Sequence, residues 1–169
     1  MNLRNIRRDK CHSELILGLT ENERTLTSNQ QTGSTTDEGA LSVDHKLFQT
    51  AASLMIFSAM YGYYLNKRIK LKLPDSGNSI RYETFQNQPG GDFVFDLLSL
   101  AERDSSDILD NDSAEERAVI FEEYSNGGLH ELQCLIDENR GSSNYTIIQN
   151  IIQEQIGDID EEMDFTQFA

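Results

Sequence analysis

A run of 19 residues without a single charge, "LFQTAASLMIFSAMYGYYL" (47–65), limits this chain more than any other stretch. At helical spacing its apolar groups fall on every side. Leu47, Ala51, Leu54 and Phe57 occupy one, Phe48, Ala52, Met55 and Ala59 another. A helix apolar all round belongs either at the centre of a core or in a bilayer. Gln49, Thr50, Ser53 and Ser58, with the alanine and glycine content, keep the hydropathy weak for a membrane span. The expectation is a central core helix and no membrane association.

The rest of the 169 residues suffices for one domain around that helix. "LRNIRRDKCHSELILGLT" either forms a short amphipathic helix with Leu3, Ile6, Leu15 and Ile16 inward, or stays a loosely docked basic arm. Residues 21–42 are rich in Ser, Thr, Asn, Gln and Gly and almost free of large apolar groups, which predicts a flexible linker. Ile69, Leu71 and Leu73 alternate with Lys70 and Lys72 up to Pro74, the pattern of a short strand or extended segment. "FVFDLLSLAER" is helical, with Phe93, Leu97 and Leu100, and Val94, Leu98 and Ala101 as further candidates, facing the core.

Ser113 and Glu116 have the spacing of a capping box ahead of Ala118, Ile120, Phe121 and Tyr124. In "YSNGG", residues 124–128, the glycines are adjacent, follow a helix and have no lysine nearby, so a phosphate loop does not fit. Asn and Gly tolerate left-handed backbone best, and the reading is a tight helix–helix corner. Two more helices follow. One carries Leu129, Leu132 and Ile136; the other has Tyr145, Ile148, Ile152 and Ile156 on a stripe, with Ile147 and Ile151 beside it. The predicted fold is all-α, a small single domain of four to five helices with one short extended segment. The expected divisions are a basic N-terminal segment (1–20), the linker (21–42), the helical domain (43–156) and an acidic tail (157–169).

Charge is distributed unevenly. Residues 1–81 hold 11 Lys and Arg against 8 Asp and Glu, whereas residues 82–169 hold 3 against 21, within a net charge of −15. The acidic half would repel a phosphate backbone and suit a basic partner surface. Contact with nucleic acid would fall to Lys67, Arg68, Lys70, Lys72 and Arg81, with Arg7 and Arg8 as additional candidates, and would be salt-sensitive. The plain alternative is an edge protected by lysines. The tail sets Asp160, Glu161, Glu162 and Asp164 beside Phe165 and Phe168. It is either a loose chain end or a peptide for a basic, aromatic-accepting groove.

No reactive set emerges. His12, His45 and His130 lack metal-ligand spacing, and no serine has an evident His and acid partner. Asp75 and Glu83 begin a nuclease-like set, but Thr84 and Phe85 follow where a Glu-x-Lys would be needed. The acids of 104–116 lack calcium-loop spacing. Cys11 and Cys134 are two thiols without a disulfide framework, and Cys134 between leucines reads as a small buried hydrophobe. With no apolar stretch after the basic N-terminus to act as a signal peptide, a cytoplasmic protein without cofactor, metal or catalytic residues is expected.

"RRDKCHSELI", "LFQTAASLMIFSAMYGYYLNKR", "FDLLSLAERDSSDIL" and "RAVIFEEYSNGGLHELQ" together resemble the Dnd system-associated protein 4 family, also called DNA phosphorothioation-associated protein 4. The similarity spans about residues 4–17 and 46–137, and its most distinctive elements are the uncharged helix and the Phe-x-x-Tyr-x-x-Gly-Gly-Leu motif. The resemblance implies a place beside bacterial systems that put sulfur into the DNA backbone and use the mark in antiviral defence. It implies partners among the protein subunits of a modification or restriction complex, and it supplies no catalytic residues. An accessory subunit acting by protein contacts is the expected function. The layout, an apolar helix followed by a basic extended stretch and more helices, is also similar to DndE, a small DNA-binding component of such systems. A DndE-like role, contacting phosphates through 67–81, is the alternative.

Overall fold

The computed structural model describes residues 4–20 and 47–162, with the backbone alone at Asp92 and at 155–162. Its α-helices are α1 (Ser13–Leu19), α2 (Ala51–Tyr64), α3 (Tyr82–Gln86), α4 (Gly91–Arg103), α5 (Ala114–Glu138) and α6 (Asn144–Glu162). Short 3-10 turns precede α1 and α5, and no strand forms among the described residues, so the fold is all-α. α6 runs into the stretch read from sequence as tail; residues 163–169 and the whole predicted linker (21–42) lie outside the described residues.

The uncharged run becomes α2 from Ala51 onward. Thr50 caps it: its hydroxyl accepts from Ser53 N–H at 3.1 Å while Ser53 Oγ accepts from Thr50 N–H at 3.2 Å. Asn66, in left-handed backbone at φ 52°, closes the other end, where Lys67 N–H donates to the Gly62 carbonyl at 2.7 Å. α2 packs most extensively on α5. No helix among the described residues is long and apolar enough to cross a membrane.

Asn126-Gly127-Gly128 is not a corner. α5 runs unbroken for 25 residues through it. The glycines serve proximity between backbones. A Cβ on Gly128 would land on the Ser58 carbonyl, and one on Gly127 on the Lys67 carbonyl. One on Gly62 would strike the Tyr124 carbonyl, with Gly128 N only 2.9 Å away. α2 and α5 therefore meet main chain to main chain, a contact that larger side chains forbid. Left-handed backbone is found instead at Asn66, Gly90 and Asp104 among the described residues.

The core has two halves along this pair. In one, Phe95 stacks on Phe121 with centroids 4.0 Å apart, and Phe85 meets both edge-on. In the other, Leu15, Ile16 and Leu19 of α1 pack with Leu54, Leu129, Leu132 and the α6 isoleucines 147, 148 and 151. Two predicted faces are rotated. On α4 the buried positions are Val94, Phe95, Leu98 and Ser99, while Phe93 and Leu97 are 64% and 57% exposed. Gly91 on the Phe85 carbonyl and Ser99, whose hydroxyl donates to the Phe95 carbonyl at 2.6 Å, complete that inner stripe without apolar side chains. On α6, Tyr145 and Ile152 are exposed and Ile147 and Ile151 are buried.

The predicted Ser113–Glu116 capping box is also absent. Ser113 ends a 3-10 turn and its hydroxyl donates to the Asp107 carbonyl, while Glu116 pairs with Arg103. The N-terminal segment is not loose. Ile6 is fully buried and exchanges two backbone hydrogen bonds with Ile80, and Asp9 pairs with Pro74.

Candidate functional site

The basic stretch 67–81 divides in two once the helices are in place. Lys67 Nζ lies 2.8 Å from Glu131. Arg68 reaches Glu123 at 2.6 Å through Nε and Glu102 at 2.5 Å through Nη1, and stands over the Tyr124 ring. Tyr124 Oη donates to the second oxygen of Glu102, so burial and that carboxylate push its pKa up to about 12. The Tyr124 hydroxyl and then Arg68 hold Glu102 below the usual carboxylate range, as Lys67 holds Glu131. Two of the five predicted phosphate-binding cations are thus committed to carboxylates within the fold. Lys70, Lys72 and Arg81 are exposed and make no ion pair among the described residues.

The N-terminal arginines are drawn inward too. Arg4 and Arg7 both grip Glu122, which is 2% exposed, and Arg7 N–H donates to the same carboxylate at 2.5 Å. Next to this clasp, Asp9 accepts from Cys11 N–H and from the backbone of Lys72 and Leu73. Burial opposes the charge on Asp9, but these donors together hold its pKa below the ordinary value. Asn126 donates to the carbonyls of Ile69 and Lys70, tying the extended stretch to α5. Burial keeps His12 below its usual pKa, against the pull of Asp9 and Asn126. These groups connect segments and leave no nucleophile beside a free base.

The acids divide by location. Glu102, Glu115, Glu116, Glu122, Glu123 and Glu131 are paired with arginine or lysine, whereas Asp104, Asp107, Asp110 and Asp112 are exposed and make no ion pair among the described residues. They lie on the turns between α4 and α5. Fully buried Arg117 holds those turns from below, donating to the Ile108 carbonyl and, at 3.1 Å, to that of Asp110. Leu109, 38% exposed, emerges among them, and Phe93 and Leu97 stand on the outer side of α4 leading into them. Uncovered aromatic and aliphatic groups beside a carboxylate cluster are the composition of a protein-binding surface. Helical spacing alone turns Phe93 and Leu97 inward, and the structure turns them out. The available clue was Gly91 and Ser99, small enough to sit on the buried stripe.

Of the predicted tail contacts, Asp160, Glu161 and Glu162 fall on the last turn of α6, while Asp164, Phe165 and Phe168 lie outside the described residues. Among the described residues no group of three or more His, Cys, Asp or Glu could hold a metal ion. Cys11 is exposed, and Cys134 is half-buried with Sγ 3.8 Å from His130 Nδ1, so it is less enclosed than its leucine neighbours suggest. A family model described as DNA sulphur modification system-associated protein 4 matches residues 39–168. No curated protein and no solved structure matches the chain.

Proposed function

The chain belongs to the DNA sulphur modification system-associated protein 4 family, and from that premise we propose that it is a non-catalytic accessory subunit of such a system. It binds a basic face of another protein component through Phe93, Leu97 and Leu109, with Asp104, Asp107, Asp110 and Asp112 on the turns that follow α4. The observation that carries this reading is the division of charge. Arg4, Arg7, Lys67 and Arg68 are spent on internal carboxylates, and this acidic run is left to solvent. A surface of this kind attracts a positively charged partner at long range and gains affinity from the apolar centre. DNA contact through 67–81 is the weaker reading, because Lys67 and Arg68 are already paired.

Affinity capture of the tagged full chain from cells carrying the complete modification system tests it. Components of that system should co-purify with the unaltered chain. Asp104→Asn/Asp107→Asn/Asp110→Asn/Asp112→Asn and Phe93→Ala/Leu97→Ala should each reduce recovery about tenfold or more, the scale expected of an interface anchor. Both change exposed side chains, and melting curves verify that the fold is kept. Equal recovery with all three chains rejects the surface.

A further inference from the structure

A polar cavity of about 700 Å³ opens where α1, the start of α2 and the 78–84 segment come together, and it shares no lining residue with the α4 surface. Arg8 and Arg81 both line it. Arg81 is exposed and unpaired among the described residues. Arg8 is partly buried, and its Nε is buried with no hydrogen-bond partner. Asp75, whose charge acts on Arg8, does not satisfy it: that carboxylate is occupied by the Asn78 side chain at 2.7 Å and by the backbone N–H groups of Gly77 and Asn78. A partly buried guanidinium without a carboxylate partner is costly, and an anion bound by its accessible donors offsets that cost.

Among the described residues no carboxylate lines the cavity. Ser13 and Thr84 contribute hydroxyls to its wall, while Ser79 and Asn78, also in the wall, are engaged with the Ser76 carbonyl and with Asp75. Thr20 and Thr50 also line it, but their hydroxyls are engaged with the Ile16 carbonyl and with Ser53. Opposite in character are Ile16, Leu17 and Ile80, which give the same space an apolar side. The volume lies in the range of small-molecule sites, roughly 300–1,000 Å³, and far exceeds the needs of a bare oxyanion. Two arginines fit a phosphate and the apolar wall fits a flat ring or sugar.

We propose that this cavity binds a nucleotide unit, its phosphate on Arg8 and Arg81 and its base or sugar against Ile16, Leu17 and Ile80. The unit comes either from a free nucleotide or from one residue of a nucleic-acid strand, and the site is independent of the protein-binding surface above. Anisotropy of a short fluorescein-labelled single-stranded DNA and calorimetry with AMP, both on the full chain, measure it. At least one probe should bind, and Arg81→Gln should weaken that probe about tenfold or more, as loss of a charge-assisted phosphate contact does. Arg8→Gln/Arg81→Gln should abolish binding, while Lys70→Gln/Lys72→Gln should leave AMP affinity within about twofold. Binding of AMP alone assigns a free nucleotide, and binding of the strand assigns nucleic acid. Failure of both probes, binding indifferent to Arg81→Gln, or a response to inorganic phosphate only overturns the proposal. Because Arg81 is exposed, its replacement decides the matter even where the Arg8 variant folds poorly.

Discussion

Gly128→Ala is expected to destabilise the domain by about 3 kcal/mol or more, the upper range for overpacking a tight contact. The sign is the informative part. In the interior of an ordinary helix this substitution stabilises by about 0.5–1 kcal/mol, because alanine gives up less conformational entropy on folding. Here the new methyl meets the Ser58 carbonyl of α2, and a carbonyl cannot rotate aside as a side chain can. α2 and α5 must separate, and both halves of the core lie along that pair. Gly62→Ala and Gly127→Ala should behave alike, since their obstacles are also main chain. Gly18→Ala is the control: nothing lies within 4 Å of a Cβ there, so it should be neutral or stabilising. Thermal and urea unfolding of the four variants give the comparison. A melting temperature for Gly128→Ala at or above that of the unaltered chain rejects direct backbone contact between the helices.

Glu122→Ala is the second large effect, expected at about 2–3 kcal/mol. It removes one buried carboxylate that accepts from the Arg4 and Arg7 side chains and from Arg7 N–H. Two guanidiniums and a backbone donor are left with weaker partners. Both arginines are partly exposed and Arg4 retains Glu115 at 2.7 Å, which keeps the loss below that of a fully enclosed pair. Release of the N-terminal segment should follow, read as faster tryptic cleavage after Arg7 and Arg8. Glu115→Ala, removing an exposed partner of the same Arg4, should cost only about 0–1 kcal/mol. Equal effects at the two positions would show that Glu122 does not hold the segment.

Legibility in the sequence followed how directly a residue's role depends on its own side chain. The uncharged run announced α2 because burial on several sides needs apolar groups on several sides, and Leu54, Met55 and Ala59 are indeed enclosed. Ile6, Leu15 and Ile16 were legible for the same reason. The Asn-Gly-Gly sequence misled because glycine answers two different demands, left-handed backbone and close approach. Only the neighbouring chain, here Ser58 and Lys67, decides between them. α4 offered two stripes of similar apolar content. Phe93 and Leu97 stand outside while Leu100 packs on the core, and Gly91 and Ser99 are buried for their smallness. Charge was legible along the chain and not in its pairing. Nothing local to Arg68 foretells Glu102 and Glu123, 34 and 55 residues away. Arg8 and Arg81 likewise read as ordinary basic residues until the fold set them around one cavity.

Hydrogen exchange of the full chain, alone and in the complex captured from its own system, tests the accessory-subunit account most directly. Slowed exchange across 104–113 and along the α4 backbone from Phe93 to Leu97, with 69–73 unchanged, is the predicted result. Protection concentrated at 69–73 and around Arg81, with 104–113 exchanging as in the free chain, would contradict it.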